Sequence, residues 1–300
     1  MAGRPGRGAS ARKEIPMARK TWFITGASSG FGRAFAEHAL TQGHNVVATA
    51  RNLATLDGLA DRAPERVLTL ALDVTLQADA DSAVEGAIAR FGRIDVLINN
   101  AGYGVVGAFE ETSDVELRAQ METNFFGAMN VIRAALPRLR AQKSGAIVNM
   151  SSLGGQLSFA GFSAYSASKF ALEGVSEALA QEVAPFGIKV LIVEPGQFRT
   201  NLAGSGMRHM PVLEAYRDVV GGTRDFARDM HGTQEGDPRK AAAAIETALD
   251  SPDTPLRLQL GGDAVDAVRT HSEDLLNQLA DWEGLARSTR FDVQAGRCQF

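Results

Sequence analysis

Near its start the chain reads Thr21-Trp-Phe-Ile-Thr25, then Gly26-Ala-Ser-Ser-Gly30-Phe-Gly32, and then Arg33-Ala-Phe-Ala-Glu-His-Ala-Leu40. The first segment is apolar enough for a short buried strand, and the third has the periodicity of a helix. A glycine loop between them lets the backbone approach a pyrophosphate closely and directs helix N-terminal amides at its charge. The pattern predicts a dinucleotide-binding unit of strand, loop and helix; the alternative is a flexible surface turn.

The rest of the chain continues the alternation of strands and helices. After the strand at 21–25, six further strands are predicted at 45–50, 67–72, 95–99, 147–148, 188–193 and 256–260, with helical segments around Val115, Phe170 and Ala241 between them. Runs of β-branched residues such as Val46-Val47 favour a parallel sheet that is covered on both faces. A chain of 300 residues with 45% hydrophobic content can bury one sizeable core. The sequence therefore predicts an α/β fold: a single Rossmann-type domain with a doubly wound, parallel, seven-stranded sheet.

Tyr165 and Lys169 stand four residues apart in a predicted helix, and Ser152 lies thirteen residues before Tyr165. Residues four apart project from the same helix face, so the phenol and the ammonium are expected side by side. The charge of Lys169 is then expected to lower the pKa of Tyr165 toward the range where acid–base catalysis is efficient. The Ser152 hydroxyl can hold the reacting oxygen against the phenol. The alternative for the pair is an ordinary amphipathic helix face.

Several motifs in order make the chain similar to a known family. The motifs are Thr25-Gly-Ala-Ser-Ser-Gly-Phe-Gly32, Leu72-Asp73-Val74, Asn99-Asn-Ala-Gly102, Asn124, Ser152, Tyr165, Lys169 and Pro195-Gly-Gln-Phe-Arg-Thr200. Together they resemble the short-chain dehydrogenase/reductase family, in its compact single-domain branch. The resemblance runs from about Thr21 to Leu260.

The resemblance implies an activity and the residues that carry it. In the family, four residues form a catalytic tetrad, and they match Asn124, Ser152, Tyr165 and Lys169. The family transfers a hydride between a nicotinamide and a carbonyl or secondary alcohol. Tyr165 would be the general acid or base, Ser152 would position the oxygen, and Lys169 would anchor the ribose and polarise Tyr165. Asn124 would kink its helix, predicted over 115–139, and hold a water molecule that relays protons. The alternative is an asparagine that faces solvent.

The residues expected to bind the dinucleotide follow the ends of several strands. By the resemblance they are Gly26, Ser28, Ser29, Gly30, Phe31, Gly32, Arg51, Asp73, Val74, Asn100, Ala101, Gly102, Tyr165, Lys169, Pro195, Gly196 and Thr200. Asp73 would accept the adenine amino group, or it is an exposed turn aspartate. The motif that ends at Gly102 would border the adenosine ribose, or it is a polar turn. Thr200 would contact the nicotinamide carboxamide, or it caps the helix that follows.

The end of the second predicted strand bears on which dinucleotide binds. An NAD enzyme of this kind usually has an acidic residue there for the ribose hydroxyls, and that carboxylate would repel the 2′-phosphate of NADP. This chain has Ala50 followed by Arg51. We therefore expect NADP(H) rather than NAD(H), with Arg51 on the 2′-phosphate and Ser28 beside it. The alternative for Arg51 is a solvated cation after a strand.

The substrate is expected to be an apolar small molecule. In the family, residues 201–236 form a mobile flap over the substrate, and here the segment mixes glycines with apolar residues such as Leu202, Met210 and Phe226. This composition suggests a hydrophobic pocket with movable walls. The flap resembles that of steroid- and retinoid-type members. Phe159 and Phe162 either line the same cavity or belong to the core.

Composition argues against several other classes of protein. The net charge of −4 gives no basic face for nucleic acid, and no apolar stretch reaches the ~18 residues of a membrane span. The single cysteine, Cys298, can form no internal disulfide, which favours a reducing compartment, and we expect a cytoplasmic protein. The five histidines lack the spacing of a metal site, so no metal is predicted.

The two ends of the chain lie outside the expected catalytic domain, which spans 21–262. Residues 1–20 are predicted to be a disordered extension, whose alternatives are a natural start at Met17 or a transit peptide. Residues 263–300 are predicted as a C-terminal helix, periodic over 263–285, and a tail. By resemblance, the helices that contain Asn124 and Tyr165 would pair in a homodimer or homotetramer. The rival functions are a non-catalytic dinucleotide-binding redox sensor and, from the longer branch of the family, sugar epimerisation or dehydration.

Overall fold

A parallel sheet of seven strands forms the centre of the molecule. The computed structural model describes residues 19–291. The strands are β1 (Thr21–Ile24), β2 (Asn45–Ala50), β3 (Val67–Ala71), β4 (Val96–Asn99), β5 (Gly104–Val106), β6 (Gly145–Met150), β7 (Ile188–Pro195), β8 (Met207–His209) and β9 (Arg257–Leu260). The main sheet has the order β3-β2-β1-β4-β6-β7-β9, and each neighbouring pair is parallel. The predicted seven-stranded parallel sheet is confirmed.

Helices cover both faces of this sheet. The helices of the described residues are α1 (Gly30–Thr41), α2 (Asp57–Ala60), α3 (Gln77–Phe91), α4 (Asp114–Met121), α5 (Gly127–Gln142), α6 (Ser163–Val183), α7 (Arg217–Asp229), α8 (Pro238–Asp250) and α9 (Gly262–Arg287). Side chains of α1 and α8 pack on one face, around Trp22 and Phe35. Side chains of α3, α5 and α6 pack on the other, around Phe23 and Leu97. The chain is therefore a single doubly wound domain, as the alternation of its elements predicts.

The order of the strands determines where a ligand can bind. The chain winds outward from β1 to β3 and then crosses back to β4, so the connections leave β1 and β4 in opposite directions. In open α/β sheets a crevice forms at this point, beyond the carboxyl ends of the strands. The glycine loop after β1 and the Asn99–Gly102 motif after β4 therefore meet at one edge of the sheet.

The helix predicted over 115–139 is interrupted in its middle. A π-helical segment, Glu122–Phe126, lies between α4 and α5, and it contains Asn124. A π-turn holds one more residue than an α-turn, so it rotates the following residues relative to those before it. The helix is continuous along the chain but changes its geometry at the asparagine.

Residues 201–236 contain ordered elements that the sequence did not reveal. Strand β8 pairs in parallel with β5 to form a separate two-stranded sheet, and α7 follows it. Arg224 of α7 donates a hydrogen bond of 2.5 Å to the buried carboxylate of Glu111, and another of 2.8 Å to the Met210 carbonyl. A buried ion pair therefore ties α7 to the segment after β5.

The ends of the chain are described only in part. The expectations for residues 1–18 and for Cys298 in the tail lie outside the described residues. Helix α9 starts one residue before the predicted 263 and runs two residues beyond the predicted 285. Across residues 19–291, no helix combines the length and the apolar character that a membrane span requires.

Candidate active site

Helix α6 and the end of β6 bring three of the predicted catalytic side chains together. Tyr165 lies in the first turn of α6 and Lys169 follows one turn later, while Ser152 lies two residues after β6. The Lys169 Nζ donates a hydrogen bond of 2.8 Å to the carbonyl of Met150, the last residue of β6. The same nitrogen lies 5.7 Å from the centroid of the Tyr165 ring. Lys169 is thus held between the helix and the sheet, next to the tyrosine.

Ser152 lies against the phenol. Its Oγ accepts a hydrogen bond of 3.0 Å from the Gly154 amide, and Ser152 acts to lower the pKa of the Tyr165 phenol. Gly154 leaves room for the ring, because a Cβ at that position would lie 3.2 Å from Tyr165 Cε1. The Phe162 ring packs edge-on against Tyr165, with 6.2 Å between centroids. Ser152 and Tyr165 therefore present two hydroxyls at one place, as an oxygen-binding site requires.

The charge of Lys169 does not lower the pKa of Tyr165 as expected from the sequence. Burial raises the pKa of the phenol above its ordinary value, and only the hydrogen bond from Ser152 acts in the opposite direction. The ammonium makes no hydrogen bond to the phenol; it donates to the Met150 carbonyl instead. In this state the phenol therefore keeps its proton at neutral pH, as a proton donor in a reduction must.

Burial also changes the charge state of Lys169. Its side chain is 7% exposed, and burial lowers its pKa to about 8, while the carboxylate of Glu173 acts to raise it. Loss of solvation disfavours the charged form of an amine, and a nearby anion favours it. Lys169 thus titrates just above neutral pH.

Asn124 is buried, so the alternative that it faces solvent is wrong. It is 2% exposed, and its side chain makes three hydrogen bonds. Its Oδ1 accepts from the Tyr103 amide at 3.1 Å, and its Nδ2 donates to the Tyr103 carbonyl at 3.0 Å and to Ser168 Oγ at 3.1 Å. These contacts join the π-helical segment to α6 and to the strand end after β4. Asn124 makes no hydrogen bond with Lys169.

The loop after β1 has the shape of a pyrophosphate cradle. Gly26 and Gly30 have positive φ of 65° and 52°, which favours glycine at both positions. A Cβ on Gly32 would lie 2.3 Å from the Gly26 carbonyl oxygen, so only glycine lets α1 approach the loop this closely. Helix α1 starts at Gly30, and its N-cap residue Ser29 makes no capping hydrogen bond through its side chain. The N-terminal amides of α1, the two glycines with positive φ and the Ser29 hydroxyl, which makes no hydrogen bond within residues 19–291, fit a bound dinucleotide phosphate.

The strand end after β4 braces this loop. Asn100 Nδ2 donates to the carbonyls of Thr25 and Gly26, at 2.8 and 3.1 Å. Thr25 Oγ1 in turn accepts from the amides of Asn100 and Ala101, at 2.9 and 3.0 Å. The next residue, Gly102, lies so close to Asn124 that a Cβ would be 3.0 Å from its Oδ1. The predicted motif therefore connects the glycine loop to Asn124, and Thr25 is the contact that the site prediction missed.

Thr200 lies over the glycine loop and also caps a short helix. Its Oγ1 accepts a hydrogen bond of 3.3 Å from the Leu202 amide, which is the capping role named as its alternative. Its Cβ would be 3.1 Å from a Cβ on Gly30. Pro195 ends β7, and Gly196 is so close to the Asp263 carboxylate that a Cβ there would clash with it. The segment after β7 thus borders the glycine loop at Gly30.

Asp73 and Arg51 follow β3 and β2, at the same edge of the sheet as the glycine loop. Asp73 accepts hydrogen bonds from the amide and hydroxyl of Thr75, at 3.0 and 2.8 Å, so it stabilises a turn, but it is half-buried and not the exposed aspartate named as its alternative; the buried Val74 follows it. The Ala27 amide donates to the Thr49 carbonyl at 2.9 Å, so the end of β2 lies beside the loop that carries Ser28. Arg51 is exposed, and it makes no salt bridge or side-chain hydrogen bond with residues 19–291.

A buried acidic cluster behind Lys169 was not found from the sequence. Glu173 and Glu194 are 5% and 0% exposed, and Arg257 of β9 lies against both, with its Nε 3.1 Å from Glu173 Oε2 and 3.5 Å from Glu194 Oε1. Gln156 Nε2 also donates to both carboxylates. Burial and the charge of Glu194 raise the pKa of Glu173 to about 7, against the contacts with Ser151 and Arg257. Since Arg257 is 84 residues from Glu173, no local pattern could have revealed the cluster.

The chain is similar to known oxidoreductases over most of its length. The family model of short chain dehydrogenases matches residues 20–210. Oxidoreductase BOA17 of Botryotinia fuckeliana is 44% identical over 268 residues, which cover 89% of this chain and 98% of that protein. The 3-ketodihydrosphingosine reductase of Bacteroides thetaiotaomicron is 41% identical over 243 residues, which cover 79% and 86%.

Several solved structures are also similar to this chain. A short-chain dehydrogenase from Streptomyces avermitilis is 53% identical with a TM-score of 0.87, covering 91% of this chain and all of its own. One from Burkholderia phymatum in complex with NAD is 25% identical, with a TM-score of 0.77 and coverage of 88% and 96%. ElxO with NADP bound is 26% identical, with a TM-score of 0.69 and coverage of 83% and 99%. The chain therefore belongs to the short-chain dehydrogenase/reductase family and is an oxidoreductase.

Proposed function

We propose that this enzyme transfers a hydride reversibly between NADP(H) and a carbonyl or secondary alcohol of an apolar small molecule, with Tyr165 as the general acid or base. The observation that carries the proposal is the convergence of Ser152, Tyr165 and Lys169 beside the glycine cradle. A bound nicotinamide supplies or accepts the hydride. The side chains of the protein have to bind, orient and exchange a proton with the reacting oxygen.

The hydroxyls of Ser152 and Tyr165 have different roles in the proposed reaction. A substrate oxygen placed between Ser152 and Tyr165 would be held by the serine and would receive its proton from the phenol during reduction. The raised pKa of Tyr165 supports the role of donor, because the proton is present at neutral pH. Once the proton has left, the phenolate would be stabilised by the ammonium of Lys169, 5.7 Å from the ring. We propose that the lysine acts in this step rather than by lowering the pKa of the free phenol.

The proposed preference for NADP(H) depends on the end of β2. Structural neighbours hold NAD or NADP, so a nicotinamide dinucleotide is the expected cofactor of this enzyme as well. Ala50 leaves no carboxylate for the adenosine ribose, and the exposed Arg51 guanidinium is available for a 2′-phosphate. Guanidinium groups bind phosphate through paired charged hydrogen bonds. Ser28 lies on the neighbouring loop, where it can add a hydroxyl.

The apolar character of the substrate is proposed from the side chains around the flap. Phe159, Leu202, Val212, Leu213 and Phe226 are between 38% and 55% exposed although all are large and apolar. Such a group near a predicted catalytic site is typical of a pocket that binds an apolar ligand. The name of the relative from Bacteroides thetaiotaomicron describes a ketone reductase. Ketones with long apolar chains are therefore a suitable start for a substrate screen.

The test is a screen followed by one substitution. A panel of aldehydes, ketones and secondary alcohols is monitored by the absorbance of NADPH, and a hit is then measured with Tyr165→Phe. We expect kcat to fall by a factor of about 10² to 10⁴, with the dissociation constant for NADPH nearly unchanged. Near-normal turnover in the variant would refute Tyr165 as the proton donor. NADPH binding without turnover of any compound would instead favour the redox sensor.

A further inference from the structure

The second half of α9 has an apolar face that is covered by nothing in residues 19–291. Every residue from Ser272 to Arg287 is exposed, over a length of about 24 Å at 1.5 Å per residue. Five large apolar side chains in this part are between 50% and 65% exposed, and we call them the α9 stripe: Leu275, Leu276, Leu279, Trp282 and Leu285. In proteins most of the stability of a helix comes from packing of its apolar face, and an exposed apolar patch of this kind is typical of a contact with another molecule. The stripe therefore needs a partner.

The spacing of the stripe is that of a helix pair. Three residues of the stripe belong to a series of apolar or small residues at alternating intervals of three and four along α9, and Leu276 and Leu285 flank it: Val265, Val268, Ser272, Leu275, Leu279, Trp282 and Ala286. This 3–4 repeat keeps one narrow seam on one side of a helix, and it is typical of two helices that pack along their length. A pocket for a small ligand would not require the repeat.

The termini of the chain are poor candidates to cover the stripe. Residues 1–18 offer three large apolar side chains, Met1, Ile15 and Met17, and residues 292–300 offer two, Val293 and Phe300. Neither segment can therefore match five large apolar residues spread over three turns. A membrane surface is also disfavoured, because residues 272–287 carry four carboxylates and a single guanidinium. Helices that lie on membranes are rich in lysine and arginine on their polar face.

A second copy of the chain matches the stripe in both shape and charge. The carboxylates Glu273 and Asp274 lie at the start of the exposed part, and Arg290 and Arg287, which already pairs with Glu283 of its own helix at 2.6 Å, lie at its end. In an antiparallel pair the acidic end of each helix faces the basic end of the other. The seam is matched as well, because Leu279 of each copy then lies opposite Trp282 of the other. Such a two-fold contact uses the same patch twice and is closed.

We propose that the α9 stripe is a homotypic interface, in which α9 packs antiparallel against α9 of a second copy of this chain. The stripe is separate from the helices that contain Asn124 and Tyr165, through which relatives commonly pair. If the chain also pairs through those helices, the α9 interface doubles the number of subunits in the assembly. It does not depend on the proposed chemistry, because none of its residues touches Ser152, Tyr165 or Lys169.

The test compares two charge insertions on opposite faces of the same helix. The full chain is studied by analytical ultracentrifugation as wild type, Leu279→Glu and the control Asn277→Glu, which adds the same charge on the polar face. We expect Leu279→Glu to halve the particle mass and to weaken the association by a factor of about 100 or more. Asn277→Glu should keep the mass of the wild type. Equal masses for all three proteins, or a monomeric wild type, would overturn the proposal.

A mixing experiment tests the orientation of the pair. Leu279→Glu and Trp282→Lys should each dissociate alone, and their mixture should associate again, because glutamate and lysine face each other in an antiparallel pair. Failure of the mixture to regain mass, while circular dichroism shows both variants folded, would overturn the antiparallel arrangement. Flotation of the wild type with phosphatidylserine vesicles, combined with unchanged mass in Leu279→Glu, would assign the stripe to a membrane and refute the interface.

Discussion

Glu173 lies one helical turn after Lys169 on α6, and its carboxylate acts to raise the pKa of the buried ammonium against the effect of burial. The two effects leave the pKa of Lys169 at about 8. The pKa of Glu173 itself is raised to about 7. The charge of Lys169 near neutral pH thus depends on Glu173 as well as on burial, although the Glu173 carboxylate does not reach the reacting atoms. Glu173 is a positioning residue in the proposed mechanism.

Replacing Glu173 with glutamine should shift the alkaline limb of the activity profile. The substitution removes the anion that raises the pKa of Lys169, so the lysine should lose its charge at a lower pH than about 8. If the ammonium is needed to stabilise the Tyr165 phenolate, kcat should begin to fall at a correspondingly lower pH. The measurement is kcat against pH for wild type and Glu173→Gln at saturating substrate and cofactor.

The control for this experiment is Glu177→Gln. Glu177 also binds Arg257, at 2.6 Å, but its side chain is 53% exposed and it is not among the groups that shift the pKa of Lys169. A purely structural effect through Arg257 should appear in both variants as a lower kcat at every pH. An unchanged alkaline limb in Glu173→Gln would refute the coupling between Glu173 and Lys169.

Stability should depend on pH through the same carboxyl group. The folded pKa of Glu173, about 7, lies above the ordinary value of 4.5, so the folded state holds the proton more tightly than the unfolded state. The tighter binding of this proton stabilises the folded state fully below about pH 4.5, and the stabilisation is lost as the pH rises through 7. Glutamine cannot ionise. Between these pH values, the free energy of unfolding of Glu173→Gln should therefore rise relative to that of the wild type.

Urea denaturation at several pH values measures this difference. Each unit of pKa shift corresponds to about 1.4 kcal/mol between the two protonation states. The pKa of about 7 already includes the contact with Arg257, which favours the charged form of Glu173. A difference in free energy that stays flat from pH 4.5 to 7 would mean that Glu173 titrates normally in the folded protein.

The sequence was sufficient for the fold because its signals are local. Most strands of the main sheet are short apolar runs, although β9 reads Arg-Leu-Gln-Leu. The glycine cradle was predictable for the same reason, since Gly26, Gly30 and Gly32 lie within seven residues. Tyr165 and Lys169 were placed together by helix periodicity alone.

What the sequence did not reveal depends on burial and on contacts between distant segments. The pKa of Tyr165 was expected to fall, but desolvation of the phenol dominates, and burial cannot be judged from a four-residue spacing. The π-helical segment around Asn124 adds one residue to a turn without a composition signal. The cluster of Glu173, Glu194 and Arg257 joins α6, β7 and β9. Such contacts become visible only when the strands have been assembled in their order.

Arg51 should decide the preference between the two dinucleotides. Arg51→Ala removes the guanidinium proposed to bind the 2′-phosphate, and one charged hydrogen-bond partner of this kind contributes ~1.5–3 kcal/mol. We expect kcat/KM for NADPH to fall by a factor of about 10 to 100, while kcat/KM for NADH changes little. Arg62→Ala is the matched control, because Arg62 is also exposed but pairs with Glu37. Wild-type enzyme with a higher kcat/KM for NADH than for NADPH would contradict the assignment.

Gly32 should tolerate no side chain, because α1 approaches the glycine loop too closely there. A Cβ would lie 2.3 Å from the Gly26 carbonyl oxygen and 2.6 Å from Asn100 Nδ2, so Gly32→Ala must displace the loop. We expect weaker NADPH binding by a factor of at least about 10 and a loss of stability of ~1–3 kcal/mol, as for other overpacked sites. Gly174→Ala is the control, since α6 leaves open space there and alanine favours the helix. Isothermal titration calorimetry measures the binding of NADPH, and urea denaturation measures the stability. Equal affinity and equal stability of the two variants would show that the glycine loop accommodates the side chain, against the prediction.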